Sequence, residues 1–232
     1  MSRRKQKENG FSLLEVMVSM VIVSFVTIGM YGVYTIQQRS YTVQEQVSEM
    51  QQKGRAALDF MVRDLRMAGF DSLDGTCSSG LITAADEADI TFPTCDDNDT
   101  KATKVRYYLD DAYKSNGMNN GVSDDLFRVE DKGAGFGNPQ LIAEGVDALE
   151  FRYLDEDGNE LIPFNAQQVR SIQISLLIRA THPDRKYTDT IHHIPASGNP
   201  AWDIKNSASN PPNDNFHRWL LVSTVKLRNM GF

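Results

Sequence analysis

Cysteine is nearly absent: the 232 residues include only two, Cys77 and Cys95. That excludes a disulfide-dense scaffold and an all-cysteine zinc site, which needs four thiolates. Proline is missing before Pro93, so no proline breaks a helix in the first third of the chain. An excess of positive charge is missing too. Lys and Arg total 24 against 31 Asp and Glu, and the net charge of -7 argues against a general nucleic-acid binder. With 41% hydrophobic and 24% charged residues, the chain is neither disordered nor a polytopic membrane protein. No C-x-x-C pair, phosphate-cradling glycine loop, Ser/His/Asp or Cys/His pattern, or pair of carboxylates in an apolar setting occurs. The reading is therefore of a non-enzyme without a cofactor. The length suits one domain carrying an appended element.

What is present is concentrated at the N-terminus. Residues 1–10, MSRRKQKENG, hold four bases and one acid; the remaining chain has 20 bases and 30 acids, a net charge of -10. From Phe11 to Ile36 there follow 26 residues with a single charge, Glu15. As a helix rising about 1.5 Å per residue, this stretch covers roughly 39 Å, more than the ~30 Å of a bilayer core. A secretory signal peptide and a plain single-span anchor both fit the basic leader and apolar run. Neither explains Glu15, because a carboxylate within a membrane span costs a few kcal/mol and usually has a partner. Ser12-x-x-Glu15 also matches a helix capping box.

Gly10-Phe11-Ser12-Leu13-Leu14-Glu15-Val16 resembles the processing site of type IV prepilins. The resemblance implies that a membrane peptidase cuts between Gly10 and Phe11 and methylates the new Phe11 amine. It also implies that Glu15 pairs with the amine of a neighbouring subunit to fix axial register. The chemistry agrees. Glycine lets an extended backbone enter a peptidase cleft closely. Pairing a buried carboxylate with a buried amine relieves two desolvation costs. Gly29 and Gly32 each weaken the helix by about 1 kcal/mol relative to alanine. They read either as close helix packing or as a soft segment.

Beyond the apolar run, Val43, Val47, Met50, Gly54, Ala57, Met61, Leu65 and Ala68 recur at steps of three and four, a helical stripe. Glu49–Lys53 and Asp59–Arg63 are favourable i,i+4 pairs. Gly69 supplies a stop. The spacing predicts one helix from about Ser12 to Ala68, roughly 85 Å long. A coiled-coil dimer is the competing reading of the stripe, but Gly54, Ala57 and Ala68 suit close packing on a sheet. The stretch from Arg55 to Phe70, closing with RDLRMAGF, and the ending VKLRN resemble the PilW-type minor pilins. In that light, Asp64 and the arginines tie the helix end to the sheet.

The body predicts short strands over 88–92, 104–109 and 126–129. Longer alternating strands are expected over 146–154, 169–180 and 219–229, with a turn over 155–160. Within 146–154, Asp147, Leu149, Phe151 and Tyr153 share one side. Strands 146–154 and 169–180, followed by Ile191–Pro195, are similar to the J-type pseudopilins of type II secretion as well as to the PilW-type proteins. Beyond a membrane span, the chain enters an oxidising compartment, so a Cys77–Cys95 disulfide is expected, with two free thiols as the other reading. The 19 residues it closes make it worth about 3 kcal/mol in the chain-entropy model. Asp155, Asp157 and Asn159 are a weak calcium candidate. Gly158 precedes the third ligand, where a calcium loop has glycine after it, so a hairpin turn competes. Asp96, Asp97 and Asp99 read as a solvated loop. His192 and His193, if in a strand, face opposite sides and cannot both grip one metal.

The expected fold is α+β: a long N-terminal helix, its first half transmembrane, packed on an antiparallel pilin-like domain of two small sheets. The organisation expected is a leader over 1–10, a membrane or filament-core helix over 11–36, an amphipathic continuation over 37–69 and a β-rich domain over 70–232. The resemblance implies a minor pilin that primes or caps a type IV pilus. Its implied partners are the prepilin peptidase, other minor pilins, the major pilin, the inner-membrane assembly platform and the membrane itself, with no nucleic acid. It further implies an inner-membrane location with the N-terminus cytoplasmic and the body periplasmic, followed by the pilus at the cell surface. A J-type pseudopilin, or a tethered binding domain outside any filament, are the alternatives.

Overall fold

The computed structural model describes residues 11–70, 82, 84–86, 88–95, 102–109, 124–162, 164–200, 202, 204 and 210–229. Helix α1 spans Leu13–Met67, within one residue of the expected limits. It is uninterrupted at Gly29 and Gly32, as the lack of proline allows. It ends where Gly69 adopts φ 73°, a conformation glycine enters without a Cβ penalty. Gly69 N–H then donates to the Pro93 carbonyl at 3.0 Å. Tertiary contacts divide the chain into two units, Met1–Glu45 and Gln46–Phe232.

In the first unit, the helix carries no charge from Val16 to Gln38, and its apolar window has no buried residue. In the second, Met50, Gly54, Ala57, Met61 and Leu65 are buried. That stripe packs on a sheet of seven strands, β1 Ala84–Asp86, β2 Asp89–Thr94, β3 Thr103–Leu109, β4 Asp124–Asp131, β5 Gln140–Leu154, β6 Ser171–Arg179 and β7 Arg218–Lys226. Strand order follows chain order, and every neighbouring pair is antiparallel. The expectation of two small sheets is therefore corrected. The 15-residue β5 pairs with β4 from Gln140 to Val146 and with β6 from Val146 to Leu154, and so joins the two halves into one sheet.

Ile172, Ile174, Leu176 and Ile178 alternate toward the helix and are fully buried, as period-2 patterning requires. Gly54 sets the approach distance. A Cβ there would lie 2.8 Å from Leu221 Cδ1 and 3.2 Å from Ile178 Cγ2. The lower end of the stripe is fixed by ions. Asp64 Oδ2 accepts from the Tyr107 hydroxyl at 2.7 Å and from Arg128 Nε at 2.7 Å, while Arg128 also bonds Glu130 at 2.6 Å. Burial, then the charge of Asp64, pushes the Tyr107 hydroxyl far above its ordinary pKa. Arg55 stacks over Trp219, and Asn229 Nδ2 donates to the Arg66 carbonyl at 3.4 Å. The two phrases that carry the PilW-type resemblance thus meet in space, and Asp64 does join the helix end to the sheet.

The opposite sheet face is covered by the segment between β6 and β7. A register shift between Val146 and Ala148 changes the alternation of β5. Val146 joins Leu149, Phe151 and Tyr153 under the helix, whereas Asp147 meets Arg179 and Arg218. This corrects the placement of Asp147 beside Leu149. Ile191–Pro195 forms no strand.

Candidate functional site

Gly10 lies outside the described residues, and Phe11 is 84% exposed. Helix α1 starts two residues later. Ser12 contributes its carbonyl, accepting from Glu15 N–H at 3.0 Å and Val16 N–H at 3.2 Å. Glu15 sits in the first turn, at the positive end of the helix dipole, where an anion is favoured. Phe11, Glu15 and Ser19 follow one another at four-residue steps along a shallow groove on the helix surface. The geometry offers a lone carboxylate close to the chain's expected new amino terminus, with an uncharged, mainly apolar surface beyond it up to Gln38.

That surface is continuous. Leu13, Leu14, Val18, Val21, Phe25 and Ile36 are all exposed, and no residue of the apolar window is buried inside the chain. Sequence reading missed how the hydroxyls are handled. Ser19 donates to the Glu15 carbonyl at 2.7 Å, Ser24 to Met20 at 2.8 Å, Thr27 to Val23 at 2.8 Å and Thr35 to Gly32 at 2.9 Å. Each hydroxyl is satisfied within the helix, as an apolar medium demands. Serine or threonine inside an apolar helix is the signal that could have disclosed this. Around Gly29 and Gly32, an added Cβ would meet nothing within 4 Å, so neither glycine is required by packing inside this chain.

The other candidates separate. Cys95 is buried beyond the end of β2, but Cys77 lies outside the described residues, as do Asp96, Asp97 and Asp99. Asp155, Asp157 and Asn159 form a turn. Asn159 N–H donates to Asp155 Oδ1 at 2.8 Å, and Asp155 N–H to the Asn159 carbonyl at 2.9 Å. The backbone N–H of Asn159 is the main cause of the lowered Asp155 pKa. Asp155 Oδ1 is thus engaged with the backbone of its own turn. Among the described residues, no group of three His, Cys, Asp or Glu side chains is placed to hold a metal ion.

An ionic cluster on the loop-covered face has no counterpart in the sequence reading. Arg218, its side chain wholly buried, bonds Asp147 at 2.7 Å, Asp189 at 3.2 Å and Asp214 at 2.6 Å. His193 Nε2 lies 2.8 Å from Asp189 Oδ2. Burial would lower the Arg218 pKa, but the hydrogen bond to Asp214 and the charge of Asp147 outweigh it and hold it raised. Ser197 donates at 2.6 Å to Glu150 and so does not join the His193–Asp189 pair. The cluster anchors the covering segment.

Comparison with known proteins agrees with the helix and the sheet. Residues 5–31 match the prokaryotic N-terminal methylation motif. Residues 106–229, more than half of the chain, match the family described as type IV pilus-assembly protein W. No curated protein matches the chain. Among solved structures, a type IV-like pilin from Thermus thermophilus superposes with a TM-score of 0.50 at 14% identity. That match covers 79% of this chain and 100% of the other, and it establishes the shared fold. With a methylation motif ahead of an apolar helix and a matching β domain behind it, the chain belongs to the type IV pilus-assembly protein W family, a family of pilin-like minor pilins.

Proposed function

We propose that this chain is a structural subunit, a minor pilin that primes or caps a type IV pilus. Prepilin peptidase cuts between Gly10 and Phe11, and the Phe11 amine is methylated. The helix over 11–36 first holds the subunit in the inner membrane, with its N-terminus cytoplasmic and its body periplasmic. It then moves into the filament core, where Glu15 pairs with the amine of a neighbouring subunit. Other minor pilins, the major pilin and the membrane assembly platform are the partners. A Cys77–Cys95 bridge holds the loop region of the body in the oxidising compartment; among the described residues there is no free cysteine.

One observation carries this reading: the exposed apolar stretch that opens α1, up to Ile36, has a lone carboxylate, Glu15, in its first turn. A carboxylate in lipid or in a helix bundle is costly until paired, so its position sets the register of assembly. Mass spectrometry of the mature chain is expected to find methylated Phe11 at the N-terminus. The Glu15→Ala variant is expected to be processed yet to lower piliation at least tenfold. Wild-type piliation in that variant would refute the charge-pairing role, and an intact leader on chains recovered from sheared filaments would refute processing.

A further inference from the structure

The sheet ends in two unlike edges. β1 has three residues, whereas β7 has nine, with no proline and no break in its register with β6. Edge strands are normally short, bulged or charged, because a free row of N–H and C=O groups templates another strand. Along its middle, β7 uses none of these devices.

The ladder fixes which backbone groups are free. Ala180 N–H donates to the His217 carbonyl at 2.8 Å, and Leu227 N–H to the Arg170 carbonyl at 2.9 Å. Both pairs continue the β6–β7 register. Bonded pairs alternate along an antiparallel ladder, so Trp219, Leu221, Ser223 and Val225 also face β6. The N–H and C=O groups of Arg218, Leu220, Val222, Thr224 and Lys226 point outward. Among the described residues, no strand lies beyond them. Val222, at the centre, is 48% exposed, and Thr224 and Lys226 are exposed as well.

We propose that β7 is a strand-addition site whose occupant is an extended segment of a different pilin subunit, apolar opposite Val222 and acidic opposite Lys226. An extended backbone supplies donors and acceptors at the spacing of the free row. Lys226 and Arg228, both exposed, put positive charge at the C-terminal end of the edge and select an acid there. The β7 strand of a second copy cannot supply that acid, since RWLLVSTVK contains none. Antiparallel self-pairing about Val222 would also set Lys226 against Arg218. That the partner is a pilin subunit rests on the filament reading above.

The test compares the full chain in membranes of cells that express the other pilin subunits with the same chain expressed alone. Amide hydrogen exchange is read at single residues. At least tenfold slower exchange is expected at Leu220, Val222, Thr224 and Lys226 when the other subunits are present. Val222→Pro removes an outward N–H and leaves the β6 ladder whole, so the unfolding temperature is expected to stay while the protection disappears. Ser223→Pro removes a ladder bond and is expected to lower the unfolding temperature. Lys226→Glu is expected to weaken protection without changing stability. Equally fast exchange in both cells overturns the proposal. So does equal protection in the chain expressed alone, which would assign the edge to a second copy. The N-terminus is read in the same samples. Methylated Phe11 with an unprotected edge removes this proposal alone, whereas a retained leader removes the filament reading.

Discussion

The two faces of the sheet are held by different forces, although the same strands supply both. Toward the helix, β6 presents Ile172, Ile174, Leu176 and Ile178 to an apolar stripe of α1. Away from it, the intervening residues include Ser175, Leu177 and Arg179. They meet a long segment whose anchors are Trp202, Ile204 and the Asp147–Asp189–Asp214–Arg218 cluster. The first face is dry and regular, so side chains there can be exchanged at roughly constant volume for little cost. The second depends on matched charges taken out of water, where removing one partner strands the others. A pilin body built this way has one face committed to its stem helix and one committed to fastening an irregular covering, and the long β7 edge stays open beside them.

The sharpest way to break the comparison is at Arg218. Arg218→Met leaves Asp147 and Asp189 buried with Arg179 and His193 as the remaining nearby basic groups. The expected loss is about 3–5 kcal/mol, as for one member of a buried ion pair. Urea unfolding of the full chain in detergent measures it. A loss below about 1 kcal/mol would show that the covering segment is held by Trp202 and Ile204 instead.

The helix face is probed at Gly54. Leucine there gains about 1 kcal/mol of helix propensity. Its Cβ, however, enters within 2.8 Å of Leu221 Cδ1 and 3.2 Å of Ile178 Cγ2, and overpacking costs about 1–3 kcal/mol. Leu221 can turn its end methyl, but Ile178 is fully buried and stiff at its β-carbon. A net loss of about 1–2 kcal/mol is expected in the same urea experiment. A stabilised variant would mean that the helix can lift off the sheet without penalty.

The contrast between the faces also decides what was legible in the residues alone. The helix and the inward isoleucines of β6 repeat at fixed local periods, so each is visible within a dozen residues. Phe11 and Glu15 stand out for a related reason: the resemblance to a prepilin processing site, on which the proposed cleavage rests, lies wholly between Gly10 and Val16. The ionic cluster joins residues up to 71 positions apart, and no local pattern pairs Asp147 with Arg218. The register shift at Val146–Ala148 hid it further by moving Asp147 to the face opposite the one strict alternation gives. The count of sheets failed for a length reason: β5 begins six residues before the segment with visible alternation, and those residues carry the pairing to β4.

The smallest expected effect is in acid, and it separates the faces without a packing change. Burial would raise Asp189 and Asp214. Hydrogen bonds outweigh it and lower both: His193 and Ile191 N–H at Asp189, Arg218 and Phe216 N–H at Asp214. For a carboxylate depressed in the folded state, the stabilisation is complete above the unfolded pKa near 4 and drains away as pH falls through the folded value. Asp147 runs the other way. Burial outweighs Arg179 and Arg218 and raises it, so protonating it on acidification favours the fold and offsets part of the loss. The gain from Asp147 is complete by about pH 4, where both states carry its proton, so below about pH 4 the two depressed groups alone act and stability falls. Asp214→Asn removes one depressed group and is expected to flatten the acid limb relative to the parent chain, as read by urea midpoints from pH 7 to pH 3. On the helix face, Ile174→Val carries no titrating group. It is expected to shift the whole curve down by about 1 kcal/mol at every pH, without changing its slope. If both variants kept the parent slope, the charges under the covering segment would not be what fastens it.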